Sequence, residues 1–380
     1  MLASFCLFCT MMRFLLSVGI AVLAYSVGLA QSITSVIDSV RQQYAPDGRV
    51  ALFQVTLDSA GTLTGKTNLP EAKQALLARL NARRMPVREA IQVLPAPSLE
   101  DKTYAVVTVS VANLRSNPRD AAELATQALL GTPLRVWDKD RGWYQVQTPD
   151  GYIAWVDFGG FERMNKTQFE AWEQTSKLIY TQPFGFCYSK PDRESQTVSD
   201  LVAGNLLTLV GTTKKFYEVR YPDGRTGFVG RAEAQPYTDW KASAAATEAS
   251  LTQAARRLMG IPYLWGGTST KGMDCSGFTK TVYALNGTML ARDASQQVHQ
   301  GTLVPTPDHD FSQLRPGDLL FFGTPATPDK PERVVHVGMW LGNGEFIHAS
   351  GHIRVASLDP KAPHFNEYEW KRFLRAKRMR

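Results

Sequence analysis

Residues 274–287 read Asp-Cys-Ser-Gly-Phe-Thr-Lys-Thr-Val-Tyr-Ala-Leu-Asn-Gly. Phe278, Val282 and Leu285 recur at helical spacing, and Asn286-Gly287 supplies a stop. The pattern therefore predicts a helix that begins at Cys275. Unpaired amides and the positive end of the helix dipole at such a position favour a thiolate, so the thiol is expected to have a lowered pKa and to act as a nucleophile. Polar neighbours Asp274 and Ser276 argue against an inert, core-filling cysteine.

A nucleophilic thiol needs a base. All six histidines (His299, His309, His336, His348, His352 and His364) lie in the same final section of the chain. His336 opens HVGMWLG and His348 lies in EFIHAS, with Gly342-Asn343-Gly344 between them as a turn. A three-residue loop pairs Leu341 with Glu345 and puts both imidazoles on one face of a hairpin. His336 is then the expected base toward Cys275, and His348 the residue that orients it. The helical HExxH signature of zinc peptidases is missing, so no metal and no cofactor are expected. His299, His309 and His364 read as surface residues, and Trp265 and Trp340 as core.

Working outward, residues 241–380 form the section that carries this chemistry. Ahead of it, YQVQTPDGYIAWV (144–156) and YEVRYPDGRTGFV (217–229) repeat at an offset of 73 residues, shared by Gly131 and Gly204. Each copy is a strand, a Pro-Asp-Gly turn and a second strand. This predicts two small β-barrels over 103–165 and 181–240, joined by a helical connector at 166–180. PAPSLEDK (95–102) reads as a linker, and 31–100 as a small α/β unit. At the start, Arg13, an apolar run from Phe14, and Gly28 and Ala30 before Gln31 make 1–30 an expected export signal, with an uncleaved anchor as the alternative. Cleavage after Ala30 removes Cys6 and Cys9 and leaves Cys187 and Cys275, too few for a disulfide framework.

A length of 380 residues, with 44% hydrophobic and 20% charged, fits a soluble multi-domain α+β protein. The net charge of +7 is concentrated in the tail, where six of the last ten residues are Lys or Arg. That run reads as a solvated charge cluster, and nucleic-acid binding is not expected. The expected state is a monomer without a protein partner, located in the periplasm or outside the cell.

Six segments, in order, carry a resemblance: IPYLWGG (261–267), DCSGF (274–278), RDASQQ (292–297), LRPGDLLFF (314–322), HVGMWLG (336–342) and FIHAS (346–350). Together they are similar to the NlpC-type, papain-like cell-wall cysteine endopeptidases. The repeats, with VANLRSNP (111–118), resemble bacterial SH3-like modules. The resemblance implies helices packed on an antiparallel sheet, with Cys275 as nucleophile, His336 as base and His348 as orienting residue. It also implies hydrolysis of the bond after D-γ-glutamate in peptidoglycan stem peptides. The order of modules looks like that of γ-D-glutamyl-L-diamino acid endopeptidases, which release L-Ala-D-Glu from peptides with a free N-terminal alanine. Carried over by position, the residues lining the substrate are Glu123, Tyr152, Tyr263, Asp274, Ser276 and Ser295, with Glu123 and Asp274 facing the free ammonium. Two rival readings are a wall-binding protein with an inactive last domain, and an amidase or acyl transferase using the same three residues.

Overall fold

The computed structural model describes residues 28–379, so the expected export signal lies outside it except for residues 28–30, which open a helix running to 44. No helix among the described residues is long and apolar enough to cross a membrane. The chain divides into two compact units at Ser98/Leu99.

The first unit is a three-stranded sheet with two helices. Strands Phe53–Leu57 and Thr62–Thr67 pair antiparallel, and Arg88–Val93 adds parallel to the second of them after the crossover helix Pro70–Ala82. Pro70 at the first helical position costs no hydrogen bond, because that amide has no partner inside a helix. Val36, Ile37 and Val40 of the helix 28–44 share a core with Leu63, Leu76 and Leu80.

The second unit holds the repeat and the cysteine-bearing section. Seven strands between Tyr104 and Met164 form one sheet, and seven between Lys177 and Pro236 form another. The hairpin Tyr144↔Val156 has its counterpart at Tyr217↔Val229, in the same register and at the same offset. Gly151 and Gly224 take positive φ (86° and 89°) at the ends of the two Pro-Asp-Gly turns. The connector differs from its expected extent. Its helix covers only Lys166–Glu173, and Lys177–Tyr180 is a strand of the second sheet, paired with Leu206–Thr212 and Ala234–Pro236.

In the last section, helices Glu248–Arg257 and Cys275–Ala284 lie on an antiparallel six-stranded sheet. Phe278 and Val282 interlock with Leu319, Phe321, Val337, Met339, Ile347 and Ala349. The alternate positions Leu320, Phe322, Trp340 and Phe346 fill a second core on the other face, where Phe311, Trp370 and Phe373 cover them. The basic tail is part of this sheet and is not a solvated run. Phe373–Arg378 pairs between Thr302–Val304 and Leu319–Thr324. Its arginines are matched: Arg378 grips the fully buried Asp318 at 2.7 and 2.8 Å, and Arg375 pairs with Glu332.

Candidate active site

Asp274 caps the Cys275 helix, its Oδ1 accepting the Gly277 amide at 2.7 Å. The same carboxylate accepts the Gly266 amide and the Ser276 hydroxyl, and takes a two-pronged contact from Arg292 at 2.6 and 3.1 Å. Arg292 is 1% exposed, and its remaining Nε donates to Thr126 of the first barrel. Both Asp274 oxygens, and its charge, are thus engaged inside the protein. Ser276 is held between Asp274 and Arg292.

The expectation of a lowered Cys275 pKa is overturned. Burial, and then the Asp274 carboxylate, push the thiol up to about 12, against smaller opposing effects of the Val337 and Ser276 amides and Arg292. The dipole acts on a sulfur that is almost wholly out of water, and loss of solvation is the larger effect. Burial thus favours the thiol over the thiolate, so attack calls for a base that takes its proton.

The hairpin that supplies the base differs from expectation at its turn. Asn343-Gly344 is a two-residue turn with Gly342 opposite Glu345, and a bulge at Leu341 restores the Trp340/Phe346 and Met339/Ile347 register. Pairing of the two arms ends there, and the Val337 amide interacts with the Cys275 sulfur. His336 and His348 turn to each other, His336 Nε2 lying 2.8 Å from His348 Nδ1. With that nitrogen occupied, Nδ1 is the one His336 has left to offer a thiol. Burial, then His348 and Arg372, hold the His336 pKa well below the usual imidazole range. Burial, then Arg354, push His348 down to about 4. Both rings are neutral at pH 7, so His336 is in the form a general base requires.

Tyr263 is half-buried and tied down by its amide to Gly351 O at 2.9 Å. Burial, followed by the nearby Cys275 and Asp274, raises its pKa, which keeps the phenol protonated as a donor. Ser295 is the second residue of the short helix Ala294–Gln297, whose cap is Asp293.

The first barrel meets this section through a series of polar contacts. Gln127 holds Thr268 and Ser269, Asp150 pairs with Lys280 at 2.8 Å, and the Tyr152 hydroxyl reaches Asp293 at 3.3 Å. Gly266, at φ 78°, lies so close to the barrel that a Cβ there would be 2.1 Å from the Leu124 carbonyl oxygen. Trp265, expected in the core, is 62% exposed and donates its indole N–H to the exposed Glu123 carboxylate at 2.6 Å. Trp340 is in the core as expected. Sequence reading did not single out Arg292, Gln127, Asp150 or Lys280. Arg292 stood in the quoted RDASQQ segment, but an isolated arginine does not announce its partner.

His336, His348 and Glu369 place one possible metal-ligand atom each within 4.8 Å of one another. The facing imidazole nitrogens are engaged with each other, and Glu369 Oε2 lies 3.3 Å from Arg372, an arrangement suited to moving protons.

Residues 260–376 match the NlpC/P60 family, and residues 114–157 match the bacterial dipeptidyl-peptidase Sh3 domain. The chain is 30% identical over 241 residues to a gamma-D-glutamyl-L-lysine dipeptidyl-peptidase of Bacillus subtilis, a match covering 60% of this chain and 72% of the relative. It is 29% identical over 251 residues to the Bacillus cereus protein of the same name, covering 63% and 72%. A solved NlpC/P60 family protein from Bacillus cereus shares the fold, with a TM-score of 0.62 at 24% identity over 73% of this chain and 99% of that one. This chain belongs to the NlpC/P60 family of cysteine peptidases.

Proposed function

We propose that the protein is an exported peptidase that hydrolyses the γ-D-glutamyl-L-diamino acid bond of peptidoglycan stem peptides and releases L-Ala-D-Glu from peptides with a free N-terminal alanine. The observation that carries this reading is the joint between the first barrel and the cysteine-bearing section, which presents Glu123 as an exposed carboxylate held by Trp265. Asp274 is balanced by Arg292, so the ammonium contact falls to Glu123. A charge-assisted hydrogen bond of this kind contributes about 1.5–3 kcal/mol. Tyr152 contributes by holding Asp293, which caps the helix bearing Ser295.

In this reading His336 Nδ1 takes the Cys275 proton as the sulfur attacks the γ-carbonyl carbon. The Cys275 amide and the Tyr263 hydroxyl stabilise the oxyanion. The imidazolium returns the proton to the departing amine, leaving a thioester on Cys275. Water, deprotonated by His336, then displaces the sulfur and frees the dipeptide. Residues 1–30 act as the export signal that brings the protein to such peptides.

The test is mass spectrometry of L-Ala-γ-D-Glu-diaminopimelate incubated with the protein. L-Ala-D-Glu should be released, and Cys275→Ala should lower the rate by at least about a thousandfold. An intact peptide would refute the substrate, and a different acyl product would move the reaction to the transferase class.

A further inference from the structure

An imidazole-to-imidazole hydrogen bond does not say which ring donates. Only one direction serves the chemistry. If His336 carries its proton on Nε2 and donates to His348 Nδ1, then its Nδ1 lone pair is free to accept the Cys275 proton. If His348 donates instead, a neutral His336 carries its proton on Nδ1 and cannot act as a base there. Nothing else bonded to His348 decides between them, because its other nitrogen, Nε2, is buried without a hydrogen-bond partner.

A residue from the tail breaks this symmetry. Glu369, on the helix Glu367–Arg372, is 5% exposed and directs Oε1 to within 3.8 Å of His336 Nε2. Its other oxygen faces Arg372 at 3.3 Å. The Asn366 side chain accepts the Glu369 amide at 3.1 Å and so fixes the turn that carries it. A carboxylate beside Nε2 favours a proton on that atom over a lone pair, and it favours the imidazolium that forms once the thiol proton arrives at Nδ1.

We propose that Glu369 is a positioning residue for the Cys275/His336 pair, setting the His336 tautomer through Nε2 and supporting the imidazolium. This rests on the roles given above to Cys275 and His336, and not on the identity of the substrate. The step it supports is transfer of the Cys275 S–H proton to His336 Nδ1, giving thiolate and imidazolium. The other charged or titratable groups acting around this pair are His348 and Arg354 on the neighbouring strands, Arg372 beside Glu369, and Asp274, Arg292 and Tyr263 around Cys275. His348 and Arg372 disfavour a cation on His336, and Arg354 disfavours one on His348. Glu369 is the negative group beside Nε2. Burial raises the Glu369 pKa and Arg372 opposes that rise.

The test is the rate at which iodoacetamide alkylates Cys275 in the full chain, followed on the Cys275 peptide by mass spectrometry across pH. It needs no substrate. In Glu369→Gln the rate at pH 7 should fall by roughly tenfold, the equivalent of one pKa unit of lost imidazolium support. The profile should move to higher pH. Glu369→Asp, which keeps the charge, should fall between the two and also serves if the Gln variant folds poorly. Hydrolysis should follow the same order. An unchanged alkylation profile in Glu369→Gln overturns the proposal, and so does a slower rate with no shift along the pH axis, which is the mark of a purely structural role. Shifted alkylation in a protein that cleaves no stem peptide keeps the role of Glu369 and rejects the substrate.

Discussion

The two barrels share a strand frame and differ in what they hold. On the first, Glu123, Thr126, Gln127, Asp150 and Tyr152 all reach the cysteine-bearing section. The residues 73 positions later are Gln196, Ser199, Asp200, Asp223 and Arg225. Ser199 bonds to its own barrel's Tyr221, and Asp223 pairs with Arg225, whose other nitrogen reaches the Thr108 carbonyl of the first barrel. Asp200 is shared between Ser110 of the first barrel and Lys271. Equivalent positions therefore grip different neighbours. The first barrel gives this face to the cysteine-bearing section, and the second divides it among its own residues, the first barrel and Lys271. The two copies share a frame, and in the function proposed above the face of the first copy walls the site.

Arg292→Met should break the comparison hardest. It leaves Asp274 buried and unpaired beside Cys275, a loss of about 3–5 kcal/mol. Arg225→Met removes a pair whose members are 41% and 26% exposed and should cost under about 1 kcal/mol. Thermal melting of the two variants checks the contrast, and equal effects would refute it.

A second prediction concerns what the barrels do not govern. His348 has a pKa of about 4 when folded, against 6.5 for an ordinary histidine. The fold favours the neutral ring, so its contribution is complete above pH 6.5 and is lost as pH falls from there through 4. The loss should reach about 3 kcal/mol, and His348→Gln should flatten melting temperature against pH over that window. An equally steep profile in the variant would place the acid sensitivity elsewhere.

The most direct contrast is expected to be smaller. Asp150 and Asp223 occupy the same place in the two Pro-Asp-Gly turns. Asp150→Asn strands the largely buried Lys280 and should cost about 2 kcal/mol more than Asp223→Asn, read as the difference in denaturation midpoints.

Much of this was legible in the sequence where the signal was local. The Cys275 helix follows from Phe278, Val282 and Leu285, and the repeat from a turn that recurs with its flanking strands. His336 and His348 came together because a hairpin converts spacing into proximity, and the bulge at Leu341 kept the register although the loop was misjudged. What could not be read depended on partners distant in the chain. The raised Cys275 pKa comes from burial under the finished sheet. The tail looked like free charge because Asp318, Glu332 and Glu369, which match Arg378, Arg375 and Arg372, are assembled around it only by folding. Trp265 looked like core because nothing in IPYLWGG reveals a carboxylate 142 positions earlier.

The central claim is that the first barrel makes the site selective for a free amino terminus. Its most direct test is kcat/KM for L-Ala-γ-D-Glu-diaminopimelate against the N-acetylated peptide, in the native protein and in Glu123→Gln. The native enzyme should prefer the free peptide, and the variant should lose roughly ten- to a hundredfold of that preference while keeping its rate on the acetylated one. Equal preference in both proteins would contradict the claim.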